Sequence, residues 1–172
     1  MPTCTRHRPT RTVAPDDVPP PVAWVDATPF RVLLRRLIED TGFGAPVVAA
    51  ALGIPVRMAL TLAGGARPVR RIRWVDALAL LRYESWQLVE ASRRAVGVSE
   101  ARALLAGACP DLEAPQLARL LRIAPATAEA LLDGRCDSCD QLTVWRIAAL
   151  AEGWISAAAG VSPGVAAAVA GA

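Results

Sequence analysis

Phe30, Leu33, Leu34, Leu37 and Ile38 recur at the i, i+3, i+4, i+7, i+8 spacing that gathers apolar side chains on one face of a helix. Thr28 precedes this run as an N-cap with Pro29 at the first helical position, and Gly42 and Gly44 end it. Shorter runs follow. One covers about 46–52 and stops at Gly53; the next covers about 55–63 and stops at Gly64-Gly65. A further helix starts near Arg73 and continues, or kinks and restarts, through Tyr83, Leu88 and Val89 to Val96. Ser99 with Glu100 then caps a short helix to about Ala106. Two more lie at about 115–122 and 125–132, the second stopped by Asp133-Gly134. Asp140 reads as the N-cap of a last strong helix, 142–151, with Gly153 past its end. No stretch alternates apolar and polar with a period of two, so the pattern predicts an all-α chain.

The same pattern occurs twice. At a displacement of 69, Pro46 matches Pro115, Leu52 matches Leu121, Ile54 matches Ile123, Ala59 matches Ala128, Leu62 matches Leu131 and Gly65 matches Gly134. The register runs on without a gap through Val75 and Val144, Ala79 and Ala148, Leu81 and Leu150. It predicts two units, 28–96 and 97–156. They are flanked by a disordered, basic, proline-rich arm at 1–27 and an Ala/Gly-rich tail at 157–172.

Composition narrows the picture. The chain has 172 residues, of which 53% are apolar and 5% aromatic, so its core is aliphatic and alanine-rich. All 19 basic residues are arginine, and asparagine is absent as well, which points to a high-GC bacterial genome. The one histidine, His7, lies in the arm, and no P-loop, dinucleotide fingerprint, nucleophile elbow or HExxH is present. The expectation is a non-enzymatic protein without a cofactor. The arm has no apolar leader, and the uncharged end of the chain is mostly Ala and Gly, so a cytoplasmic protein with reduced thiols and no membrane span is expected.

A short helix, a tight turn and a second short helix need small residues at the crossing and an aliphatic residue after the turn glycine. Ala49, Gly53, Ile54, Ala59 and Leu62 meet this in unit one. Ala118, Ile123, Ala128 and Leu131 meet it in unit two, where Arg122 takes the place of the turn glycine. With the aliphatic helices 74–81 and 144–150, this pattern resembles the lambda-repressor/Cro-like helix-turn-helix family in two degenerate tandem copies. The resemblance implies that each unit's third helix faces the major groove with polar residues near its start. By position these are Val56, Arg57, Leu60 and Thr61 in unit one, and Pro125, Ala126, Glu129 and Ala130 in unit two. Only Arg57 and Thr61 offer groups that read bases, so unit two resembles a copy whose DNA face was lost.

Charge divides the units in the same way. Residues 29–94 hold eleven arginines against five acids, and residues 95–156 hold five against eight. A phosphate backbone favours the first and repels the second. The candidate DNA contacts are Arg57, Thr61, Arg67, Arg70, Arg71 and Arg73. The expected function is a DNA-binding transcriptional regulator, unit one contacting double-stranded DNA and unit two mediating dimerisation or partner binding. The alternative is an antitoxin-like or phage-related protein-interaction module, favoured by apolar Val56, Met58 and Leu60 on the expected recognition helix. Cys136 and Cys139 have CxxC spacing; with Cys4 and His7 they could complete a zinc set, or form a redox pair, but a plain loop is the default, and no metal is assigned. The five tryptophans, Trp24, Trp74, Trp86, Trp145 and Trp154, are expected to anchor the core, with Trp86 a candidate partner contact. Asp133, Asp137 and Asp140 read as turn and cap residues.

Overall fold

The computed structural model describes residues 23–64 and 69–158, with side chains to 153. The first half runs β1 (Trp24–Asp26), α1 (Thr28–Thr41), α2 (Ala45–Leu52), α3 (Val56–Gly64), β2 (Arg71–Arg73) and α4 (Trp74–Leu81). A connecting helix, α5 (Ser85–Ser92), leads to β3 (Ala95–Gly97), α6 (Ser99–Ala108), α7 (Ala114–Leu121), α8 (Pro125–Leu132), β4 (Ser138–Asp140) and α9 (Gln141–Ala158). The chain is mostly helical, but not all-α. β1 pairs antiparallel with β2, and β3 with β4. Three-residue strands are too short to show a period of two, so the alternation rule misses them. Trp24–Asp26, placed by the sequence in the arm, is thus tied into the first half, and Ala95 and Val96, assigned to unit one, belong with Gly97 to the strand that opens the second.

The two halves repeat one element order, but the gapless register does not hold. Val25 corresponds to Val96, a displacement of 71; Ile54 to Ile123, 69; and Ile72, at the centre of β2, to Cys139, at the centre of β4, 67. The matches at Val75, Ala79 and Leu81 therefore fall on the wrong partners. Val75 and Leu81 are exposed while Leu150 is buried; the true equivalents are buried Leu80 and Ile147. The second half is two residues shorter in each of the two intervals, so the displacement drifts by four in all, and abundant Ala and Leu hide the drift.

Several caps also differ from expectation. The amide of Thr28 donates to Asp26 Oδ1 at 2.6 Å, so the residue two places upstream satisfies the start of α1. Glu84 and Gln87 form a capping box that restarts the chain as α5 after α4 ends. Asp140 Oδ1 accepts the Thr143 amide at 2.6 Å, as an N-cap should. Gly153 does not end α9; it is buried inside that 18-residue helix. Tertiary burial here outweighs the roughly 1 kcal/mol helix penalty of glycine.

Both helix turns pass through the left-handed region, at Gly53 (φ 66°) and Arg122 (φ 53°). Glycine takes that conformation freely, whereas at Arg122 the Cβ costs about 1–2 kcal/mol.

Each half has its own core. Leu34, Val48, Ala59, Leu62, Ile72 and Leu80 centre the first. Leu105, Leu117, Leu121, Leu131 and Ile147 centre the second. α9 serves both. Ala149 and the half-buried Trp145 pack into the first core, and Ile147 and Leu150 into the second. The Trp145 ring meets Phe43 edge-on, 6.5 Å between centroids. No helix among the described residues is long and apolar enough to cross a membrane.

Candidate nucleic-acid interface

α3 forms because Val56, Ala59 and Leu62 place one apolar stripe on the first core. That stripe leaves Arg57 outward in the first turn, exposed to solvent. Thr61 lies one turn on, but its hydroxyl donates to the carbonyls of Arg57 and Met58, each at 2.9 Å, and is spent on its own helix. Val56 is buried and Leu60 half-buried against the same core. The apolar groups that favoured a protein contact at this helix are therefore packing groups.

The start of α3 is occupied from the other half. Glu152 on α9 accepts the Val56 amide at 2.7 Å. A carboxylate thus stands where the helix N-terminus would otherwise meet a phosphate. Sequence reasoning missed Glu152, since it lies 96 positions away and carries no local signal.

The arginine cluster divides. Arg67 lies outside the described residues. Arg70 and Arg71 are exposed at the start of β2. Arg73 is bound twice to Asp76, at 2.8 and 3.0 Å, and the Asp76 carboxylate is buried. That hydrogen bond, reinforced by the carboxylate charge, raises the Arg73 guanidinium above its ordinary value. Arg73 is a structural ion-pair partner, and its contact with DNA would have to compete with Asp76. Arg71 sits opposite Asp26 across the strand pair. The Asp26 carboxyl is held below its usual range, chiefly by hydrogen bonds from Thr28 and further by the charges of Arg31 and Arg71. Arg57, Arg70 and Arg71 have no ion-pair partner within 4.0 Å among the described residues.

Two further arginines shape this surface without having been singled out. Arg31 Nη2 donates to Val69 O at 2.9 Å, and Arg35 Nε to Ala63 O at 3.1 Å. They hold the main chain on either side of residues 65–68. In the second half the equivalent strand carries Ser138 and Asp140 where β2 carries Arg71 and Arg73. The charge contrast between the halves thus falls on matching strand positions.

A second surface is apolar. Val75, Leu78 and Leu81 on α4 are all exposed, as are Tyr83 and Trp86 beside them. Trp86 is 59% exposed, with its Nε1 donating to Glu84 Oε2 at 2.6 Å. Trp24 is also exposed, so two of the expected tryptophan anchors lie outside the core; the Trp154 side chain is outside the described residues.

Cys136 and Cys139 sit at β4 and the turn before it, with Sγ donating to Ser138 O and Asp140 O. Burial, aided by Asp140 and Cys136, pushes the Cys139 thiol up to about 11. A redox-sensing thiol needs thiolate character, and this one is turned away from it. Cys139 in the native chain is expected to resist iodoacetamide at pH 8 and to label only as the pH approaches 11. Mass-spectrometric labelling checks this, and fast modification at pH 8 would contradict it. Because the folded value is raised, stability is expected to fall as pH climbs from 9 towards 11. Cys4 and His7, the other members of the zinc set, lie outside the described residues.

Comparisons with protein-family models, curated proteins and solved structures found no match to this chain.

Proposed function

We propose that this chain is a non-enzymatic, cytoplasmic DNA-binding regulator of the lambda-repressor/Cro-like helix-turn-helix kind, built from two tandem copies. Support for the family reading comes from the paired short helices α2–α3 and α7–α8, each turning through a left-handed residue, Gly53 or Arg122. The observation that carries the DNA reading is that Arg57, Arg70 and Arg71 are exposed and unpaired among the described residues, while the matching strand of the second half is acidic. With Val56 buried, Thr61 spent on its own helix and Glu152 at the start of α3, the contact is with phosphates more than with bases. The second half supplies dimerisation or partner binding.

The test is the salt dependence of affinity for duplex DNA, read by fluorescence anisotropy. Three neutralised phosphates give a slope of log K against log salt of about −2.7. Replacing Arg57, Arg70 and Arg71 by alanine together is expected to bring the slope close to zero. A wild-type slope near zero, or one unchanged in the triple variant, ends the reading.

A protein partner is the second reading, and the exposed Val75, Leu78, Leu81, Tyr83 and Trp86 favour it. It moves the proposed protein contact from α3 to α4 and the start of α5.

A further inference from the structure

The two halves enclose a cleft of about 60 Å³ between the α1–α2 corner, the end of α7 and α9. Phe43, Val47, Leu120 and Leu142 form apolar walls, and the charged side chains on it are Arg122 and Arg146. No carboxylate stands among the described residues that line it. Arg146 is fixed in place, its Nη1 donating to Leu121 O at 2.7 Å. That bond uses one of five guanidinium donors. Neither arginine has an ion-pair partner among the described residues. Burial first, and then the charge of Arg122, pull Arg146 below its ordinary value; Asp140 offsets this only in part. Two like charges on the lining of one partly buried cleft make an arrangement that an anion completes.

The backbone adds a second observation. Arg122 is the one non-glycine at positive φ among the described residues, and the matching turn of the other half holds Gly53. Glycine would relieve the strain, yet the chain keeps an arginine in the lining of the cleft. α2 also begins here, and its N-cap, Gly44, offers no side-chain acceptor, so the helix dipole adds to the positive field.

We propose that this cleft binds a small oxyanion, a carboxylate or phosphate group on a compact and partly apolar molecule, gripped by Arg122 and Arg146. The volume suits about four waters, or one such group in their place. The ligand touches α2 of the first half and α7 and α9 of the second, so it clamps the halves together. This site does not depend on the DNA reading.

The test uses the full chain. Thermal unfolding is followed in sodium phosphate, acetate and benzoate, each against sodium chloride at equal ionic strength and pH. A saturable rise in Tm beyond chloride is expected in at least one arm, by linkage of binding to folding. A response in the phosphate arm alone assigns phosphate; one in the acetate or benzoate arm assigns carboxylate. Arg146 supports the end of α7, so the decisive variant is Arg122→Gly, since glycine takes the left-handed conformation freely, as Gly53 does in the matching turn. It is expected to unfold at or above the wild-type temperature and to bind the active anion at least tenfold more weakly by titration calorimetry. If no anion exceeds chloride, or if Arg122→Gly binds as tightly as the wild type, the proposal is overturned.

Discussion

Replacing Ile147 by alanine is expected to cost about 2–5 kcal/mol and to loosen both halves, not only the one whose core it fills. Ile147 is fully buried in the second core. Trp145 and Ala149, on the neighbouring stripe of the same helix, pack into the first. A helix set loose on one side cannot hold its packing on the other, because close-packed interfaces transmit displacement. Hydrogen exchange in urea is expected to show α2 and α3 losing protection together with α7 and α8. Increased exchange confined to α6–α9 would show that the halves unfold independently, and the shared-helix account would fail.

Glu152→Ala is expected to lower stability by about 1–2 kcal/mol while raising affinity for duplex DNA severalfold. The stability loss follows from removing the acceptor of the Val56 amide, a cap supplied in trans from α9. The affinity gain follows from the same atom. The carboxylate neutralises the positive end of α3 and repels an approaching phosphate; without it the amide is free to meet one. Glu152→Gln separates the two effects. It keeps an acceptor for the amide and removes the charge, so it is expected to retain most of the stability and part of the affinity gain. Denaturant unfolding and anisotropy on one set of samples read both quantities. If DNA affinity falls in Glu152→Ala in step with stability, α3 does not face the duplex, and the protein-partner reading through Trp86 gains.

Much of the architecture was written in the periodicity. The α1 stripe ending in Phe30, Leu34 and Leu37 buried, the glycine stops at Gly42 and Gly53, and the Asp140 cap all appear as the spacing predicts. These are local: each depends on side chains a few positions apart, and helix geometry fixes what such neighbours do. The strands were not legible, because three residues held by partners about 45 positions away leave no local periodic trace. The candidate interface was legible only as composition. Arg57, Arg70, Arg71 and Arg73 look alike in the sequence, but buried Asp76 takes the last of them and leaves the other three in solvent.

The sequence alone determined a mostly helical chain, a repeated plan and an uneven distribution of charge, since these follow from neighbouring residues and from counting. Tertiary structure alone decided that one helix completes both cores, that Glu152 covers the start of α3, and that Arg122 and Arg146 line one cleft. Each of these joins residues from distant parts of the chain, and such contacts are chosen by the packing of whole faces, which no local pattern encodes.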